Sequence, residues 1–420
     1  MGASRPRKIV LANGIRVVTE PMASVRSAAV GVWVDVGSRD EGPGEEGVSH
    51  FLEHMFFKGT RRRTARALAM EIDVLGGELN AFTSRETTTF YTKALDEHLP
   101  RAIALLGEIF LQSTFASAEL EREKQVVLEE IKMVEDDPEE FLYDLHTDYV
   151  WRHHPLGRPI LGEIRTIETM TRRRLTGFLA ARYHPERTVI AVSGRFDVAE
   201  VETLIAKTFL PFTRAANQAV PRTPPVTHGG VWLKRKALEQ VHLCLGAAGL
   251  SQTHTDRYAL HVVNAILGGS VSSRLFQEVR ERRGLAYSIY SSISSYHDAG
   301  LFSIYAAMGK AAAPTVLSLC LRECRKLRAH AVPKDELARA KDHLKGSLML
   351  GLEGTSSRMS RLAKDELYGG RYVSLSEMIA GIDAVTADDA LRVARACLSP
   401  ETMGLTVLGP MQRADLPSSF

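Results

Sequence analysis

Near the start of the chain, short apolar runs alternate with polar residues around a tight turn. Lys8-Ile9-Val10-Leu11 and Ile15-Arg16-Val17-Val18 flank Asn13-Gly14, a pair that tolerates the positive φ of a tight hairpin, and 28–36 supplies a further strand. The period then changes. Apolar residues recur at helical spacing over 47–57 and 64–75, and strands are expected at 77–83 and 86–94. Longer helical patterns cover 97–113 and 117–135. Asp137-Pro138 opens a third, 138–150, with a cap followed by proline at the first helical position. A strand at 188–193 and a helix after Asp197 close this half.

The Pro-rich stretch Val220-Pro221-Arg222-Thr223-Pro224-Pro225 reads as a linker, and after it the same order restarts. A strand is expected at 239–246, helices at 255–267 and 272–282, and strands at 285–295 and 300–308. Helices at 311–329, 334–350 and 355–367 follow, with a strand at 403–408. Runs of strands and runs of helices are segregated, and the two halves echo each other. This predicts an α+β fold of two similar, duplicated domains, each a mostly antiparallel sheet packed with helices. The expected boundaries are 1–218 for the first domain, 219–228 for the linker and 229–420 for the second.

Composition agrees with two cores, since 420 residues exceed what one ordinary core accommodates. The 53 basic and 50 acidic side chains leave a net charge of +3, too little global field to argue for nucleic acid or a membrane as partner. Local clusters such as Arg61-Arg62-Arg63 read as solvated surface. Met-Gly-Ala-Ser-Arg-Pro-Arg-Lys leads into no apolar core of signal-peptide length, and no run approaches the ~18 apolar residues of a membrane helix. Cys244, Cys320, Cys324 and Cys397 show no Cys-x-x-Cys spacing. The expectation is a protein of a reducing compartment, the cytoplasm.

Candidate chemistry is concentrated in Val48-Ser49-His50-Phe51-Leu52-Glu53-His54-Met55. On a helix, His50 and His54 lie one turn apart on one face and can reach one ion, with Glu53 beside them. A catalytic zinc keeps three protein ligands and a water, and that water needs a carboxylate to take its proton. The stretch supplies two ligands and a base, and spacing alone leaves a zinc site and a helix with two unengaged histidines equally open. A third ligand can come from the acidic pattern after Glu119. Glu123 and Glu130, seven apart, share the stripe of Val127, Ile131 and Val134, whereas Glu121 and Glu129 point elsewhere. A carboxylate on a core-facing stripe is costly unless paired or metal-bound. Helical phase therefore makes Glu130 a candidate ligand and Glu123 a candidate partner of one.

The order His-x-x-Glu-His is the inverzincin arrangement. The chain resembles the pitrilysin-type zinc peptidases over nearly its whole length. The likeness is to the branch containing the catalytic beta subunit of mitochondrial processing peptidase and its bacterial single-chain relatives. The resemblance implies two halves enclosing a central cavity, a Zn2+ cofactor held by His50, His54 and Glu130, Glu53 as general base and Glu123 as an assisting acid. It implies that Asn80, Ala81 and Phe82, in Gly76-Gly77-Glu78-Leu79-Asn80-Ala81-Phe82-Thr83, pair with substrate backbone. It gives Arg280 and Tyr287 the task of holding substrate carbonyls and the oxyanion. Glu140 and Asp144, one helical turn apart, match acids that bind an arginine near the cleavage site. Leu267-Gly268-Gly269-Ser270 resembles the catalytic rather than the noncatalytic subunit. One position departs from the pattern: Arg187, in Tyr183-His184-Pro185-Glu186-Arg187-Thr188, stands where relatives usually carry asparagine.

The expected function is a zinc metalloendopeptidase acting on peptides or unfolded, presequence-like segments. A homodimer is expected, or a complex with a related partner subunit. Two alternatives are a noncatalytic assembly subunit of the respiratory core-protein kind and a catalytic chain that needs a separate partner.

Overall fold

The computed structural model describes residues 5–213 and 221–416. The first positions of the expected linker, 219–220, and Met1-Gly-Ala-Ser lie outside the described residues. In chain order the elements before the linker are β1 (Arg7–Val10), β2 (Arg16–Pro21), β3 (Ser27–Val34), α1 (Val48–Phe56), α2 (Ala65–Leu75), β4 (Glu78–Thr83) and β5 (Thr88–Leu95). Then come α3 (Leu99–Gln112), α4 (Ser117–Asp136), α5 (Pro138–Val150), α6 (Ile164–Glu168), α7 (Arg172–Arg182), β6 (Thr188–Gly194) and α8 (Val198–Phe209). After the linker follow β7 (Gly230–Arg235), β8 (Val241–Ala248), α9 (Arg257–Leu267), β9 (Ala286–Ser295), β10 (Gly300–Met308) and α10 (Ala313–Ala329). The chain ends with α11 (Lys334–Gly351), α12 (Thr355–Gly369), α13 (Leu375–Ala384), α14 (Ala387–Cys397) and β11 (Gly404–Gly409).

The fold class is α+β with two mostly antiparallel sheets, ordered β1-β2-β6-β3-β5-β4 and β7-β11-β8-β10-β9. Each contains one parallel pair, β2 with β6 and β7 with β11. The hairpin forms around Asn13-Gly14, with Gly14 at φ 97° and Val10 opposite Arg16. Asp137 caps α5 by accepting from the backbone N–H groups of Glu139 and Glu140. The helix expected over 272–282 is instead largely a π-helical turn, Phe276–Glu281. Helices α6, α7, α13 and α14 and strand β7 were not among the expectations.

The chain divides into two compact units, each assembled from three segments. Unit one comprises Met1–Lys132, Arg158–Arg222 and Gly351–Tyr372. Unit two comprises Met133–Gly157, Thr223–Leu350 and Val373–Phe420.

In unit one, alternate residues of the sheet bury opposite faces. Val17, Val30, Val32 and Ile190 pack with Phe51, Leu52 and Met55 of α1 and with α3, while Val18, Ala29, Trp33 and Val189 pack with Met359, Leu362 and Ala363 of α12. Burial on both faces explains why β3 reads as an almost continuous apolar run. α12 is also tied down by Glu366, which is 3% exposed and pairs with Lys8 at 2.6 Å and Arg16 at 3.4 Å.

Unit two repeats the plan. Leu243, Leu245, Ile304 and Val407 face α9 and α10, and Cys244, Tyr305 and Leu408 face Leu142 of α5.

Arg187 finds a local role in unit one. It pairs with Asp40 at 3.1 Å and donates to the Asp35 carbonyl. Arg222 bridges the same acids, 2.7 Å from Asp35 Oδ1 and 2.7 Å from Asp40 Oδ2. Asp40 is 1% exposed, so two guanidiniums offset the cost of burying its charge.

Close packing in unit two yields a stability prediction. His146 is fully buried, its Nδ1 2.9 Å from Thr406 Oγ1, and burial holds its pKa down to about 3. A Cβ on Gly246 would stand 2.0 Å from His146 Nε2. Gly246→Ala should therefore destabilise by roughly 1–3 kcal/mol despite alanine's lower chain entropy, the usual range for overpacking. Chemical denaturation reads this directly, and an unchanged midpoint would contradict the packing.

Candidate metal centre

Helix α1 carries the histidines, and its entry is built to hold them. Gly47, at φ 89°, turns the chain into the helix, and a Cβ there would meet the Leu161 carbonyl oxygen at 2.5 Å. Only glycine combines that backbone angle with that approach. The Glu41 carboxylate accepts from the N–H groups of Gly47 at 2.9 Å and Ser49 at 2.8 Å, two of the donors a helix start leaves free. Burial nevertheless pushes the Glu41 pKa up to about 8, against the lowering effect of those N–H groups. Phe51, Leu52, Met55 and Phe56 bury the opposite side of the helix completely, which fixes its rotation.

One turn apart, the His50 and His54 rings lie 4.6 Å between centroids. Glu130 of α4 reaches them from the neighbouring helix: its Oε2 is 3.4 Å from His54 Nε2 and 3.7 Å from His50 Nε2. One donor atom from each of the three lies within 4.8 Å of the others. Glu130 Oε2 and His50 Nδ1 are buried and make no hydrogen bond among the described residues. A buried, unpaired carboxylate oxygen aimed at two imidazole nitrogens suits a divalent cation, and two nitrogens with one oxygen is a donor set that zinc accepts. Burial, and secondarily the neighbouring His54, holds the His50 pKa down to about 3, so His50 is neutral and able to donate a lone pair.

On α4 the acids differ in burial, the Glu130 side chain being 34% exposed. Leu120, Glu123, Val127 and Ile131 are buried, and the side chains of Glu121 and Glu129 are 67% and 66% exposed. Glu123 Oε2 lies 3.1 Å from His54 Nδ1, and its Oε1 lies 2.7 Å from Lys58 Nζ. The Glu53 carboxylate accepts from the Thr83 hydroxyl at 2.5 Å. Burial is the largest influence on Glu53 and raises its pKa, outweighing the lowering by Thr83 and His54.

Strand β4 lies at the edge of its sheet, beyond β5, so among the described residues its outer backbone groups have no neighbouring strand. Gly76 ends α2 in the left-handed region, and a Cβ on Gly77 would meet the Lys93 carbonyl oxygen at 2.0 Å, so the Gly-Gly pair is a steric requirement. Leu79, Ala81 and Thr83 share one face of β4, while Asn80 and Phe82 lie on the other.

Unit one thus brings His50, His54, Glu130, Glu123 and Glu53 together, with Asn80, Ala81 and Phe82 on the edge strand that ends at Thr83. In unit two, the Arg280 guanidinium stacks between the Phe276 ring at 4.9 Å and the Tyr287 ring at 5.1 Å. Tyr287 is 79% exposed at the head of β9. Glu140 and Asp144 lie one turn apart on α5, Glu140 exposed and Asp144 half-buried.

Sequence reasoning passed over Thr83, Lys58 and Glu139, which accepts from the Tyr290 hydroxyl. Lys58 had a legible signal, four residues beyond His54 on the same face, and Thr83 stands one strand repeat from Ala81. Nothing local marks Glu139, because Tyr290 is distant in the chain.

The match to an insulinase-type model, "Insulinase (Peptidase family M16)", spans residues 16–164, and "Peptidase M16 inactive domain" matches 169–344. An uncharacterized zinc protease of Bacillus subtilis is 42% identical over 398 residues, covering 95% of this chain and 97% of that protein. One from Streptomyces coelicolor is 41% identical over 418 residues, covering 98% and 91%. A protease from Helicobacter pylori shares the fold with a TM-score of 0.89 at 24% identity, over 97% of this chain and 100% of that one. A Pseudomonas fluorescens structure described as a peptidase M16 inactive domain gives 0.91 at 21% identity, over 97% and 99%. Among the described residues no helix is long and apolar enough to cross a membrane. On sequence and fold together, the chain belongs to the insulinase-type peptidase family M16, a family of zinc proteases.

Proposed function

We propose that this zinc protease is an endopeptidase that cuts peptides and unfolded, presequence-like segments, with His50, His54 and Glu130 as zinc ligands and Glu53 as general base. The observation that carries the proposal is the buried, unpartnered Glu130 oxygen facing both imidazole Nε2 atoms. Bound there, zinc supplies Lewis acidity at the peptide carbonyl and a nucleophile at neutral pH. The rest falls to the chain's own groups. Glu53 takes the proton of the water that adds to the carbonyl carbon and returns it to the amide nitrogen, so that the C–N bond breaks with an amine leaving. Thr83 holds the Glu53 carboxylate in place for both transfers. Glu123, accepting from Nδ1–H of His54, directs the Nε2 lone pair toward the cluster.

An extended substrate pairs with the outer edge at Asn80, Ala81 and Phe82, displacing the Asn80 Oδ1 that accepts from the Ala81 N–H at 2.8 Å, and this pairing selects for main chain over side chains and so for unfolded segments. Arg280 and Tyr287 donate to substrate carbonyls and to the developing oxyanion. Glu140 and Asp144 receive an arginine near the cut, the processing-type feature of the reading. The enzyme acts in the cytoplasm as a homodimer; four buried cysteines, all free, support a reducing compartment.

Digestion of a mixed peptide library, with and without chelator and with cut sites read by mass spectrometry, tests this. Cleavage should disappear with chelator and return with zinc, and arginine should be enriched beside the cut. Cleavage that persists in chelator would overturn the proposal. Cleavage without arginine enrichment would remove only the role of Glu140 and Asp144.

A further inference from the structure

We propose that Lys58 is a positioning residue for the metal centre, acting through Glu123 on His54. The inference rests on the ligand assignment proposed above and extends it to a residue outside the ligand set.

The two imidazoles of the cluster are supported unequally. His50 Nδ1 is buried and has no hydrogen-bond partner among the described residues, so no hydrogen bond on that side orients its ring. His54 Nδ1, by contrast, meets Glu123 Oε2 at 3.1 Å. An acceptor at Nδ1 keeps the hydrogen there and leaves Nε2 with its lone pair toward Glu130, 3.4 Å away. The orientation of one ligand thus depends on the orientation of Glu123.

Glu123 cannot orient itself. Its side chain is 5% exposed and has two oxygens to satisfy, and one bond to an imidazole leaves the carboxylate free to rotate about its terminal torsion. Lys58 Nζ takes the other oxygen at 2.7 Å. With both oxygens held, the carboxylate plane is set and Oε2 stays on His54. Lys58 is well placed for this: its own N–H continues the last turn of α1 to the Met55 carbonyl at 3.3 Å, which keeps its side chain on the His54 face. With its side chain 30% exposed, it reaches Glu123 from the rim of the site, so replacing it removes a contact without opening a core cavity. Lys58, Glu123 and His54 form a short chain of contacts in which each member fixes the next.

Zinc affinity of the full-length protein, measured by competition with a chelator, tests the inference. Lys58→Met should bind zinc about tenfold or more weakly, the effect typical of losing an outer partner of a ligand. Lys58→Arg should recover most of the loss. The double variant Lys58→Met/Glu123→Gln should be no weaker than Glu123→Gln alone, because Lys58 acts through that carboxylate. Zinc-free Lys58→Met should still unfold cooperatively but at a lower temperature, because Glu123 loses the cation paired with its buried carboxylate, and imidazole nitrogen NMR of zinc-free wild type should show the His54 hydrogen on Nδ1, less defined in Lys58→Met. An affinity for Lys58→Met equal to wild type, or additive losses in the double variant, would overturn the inference; if Lys58→Met does not fold, Lys58→Gln reads the same quantity. His54→Ala separates the two levels. If it binds zinc as wild type does, the ligand assignment itself fails; if it loses zinc while Lys58→Met does not, only the role of Lys58 fails.

Discussion

Glu53→Gln should keep about one zinc per chain and lose roughly a hundred- to ten-thousandfold in kcat, the range of a general base. Glutamine has the shape of glutamate, and its carbonyl oxygen can still accept from Thr83, so the position of the side chain survives. The replacement cannot take a proton. Glu53 lies outside the cluster of His50, His54 and Glu130, so metal binding has no reason to change. Burial raises the pKa of this carboxyl, which brings it nearer to operating pH and improves its fitness for transfer in both directions. Metal content by mass spectrometry and peptide turnover on the same sample give both halves of the result. Full activity in this variant would remove Glu53 from the mechanism. Loss of zinc together with activity would instead make it part of the ligand set.

Cutting the chain at the linker should yield two fragments that do not fold alone but recover structure when co-expressed. The reason lies in the composition of each compact unit. A fragment ending near residue 218 lacks α12, whose Met359, Leu362 and Ala363 cover Val18, Ala29, Trp33 and Val189 of the first sheet. Burying Met359 and Leu362 contributes about 3–6 kcal/mol at 1.5–3 kcal/mol per side chain. That is of the order of a whole domain's stability, about 5–15 kcal/mol, before the newly bare Trp33 is counted. Glu366 would also be lost as the buried partner of Lys8 and Arg16. The second fragment suffers the same defect, because α5 and its Leu142 lie before the cut and pack on Cys244, Tyr305 and Leu408. Circular dichroism and size-exclusion mass of each fragment and of the co-expressed pair measure this. A cooperatively unfolding single fragment would show that the exchanged helices are dispensable.

Features set by neighbouring residues were legible in the sequence. Asn13-Gly14 forms its hairpin because Gly14 can adopt positive φ, and Asp137 caps α5 through N–H groups two and three residues away. Helix α7 escaped notice because Arg172–Arg182 carries few apolar residues; only Leu175, Phe178 and Leu179 are buried, and the arginines hide the period. The turn at Phe276–Glu281 reads as α-helix from its pattern, since one extra residue per hydrogen-bonded ring barely shifts the apolar positions.

The same division holds at the metal centre. By itself the sequence determined that His50, Glu53 and His54 share one turn and that Glu123 and Glu130 share one helical face, because a 3.6-residue period is a local property of the backbone. Only the tertiary structure decided that Glu130 meets both histidines, that Thr83 holds Glu53, that Lys58 holds Glu123, and that α5 and α12 each serve the compact unit built mainly from the other half of the chain. Those pairings follow from which faces must be buried together, and the burial of a face is satisfied by whatever apolar surface folding delivers, however distant in the chain.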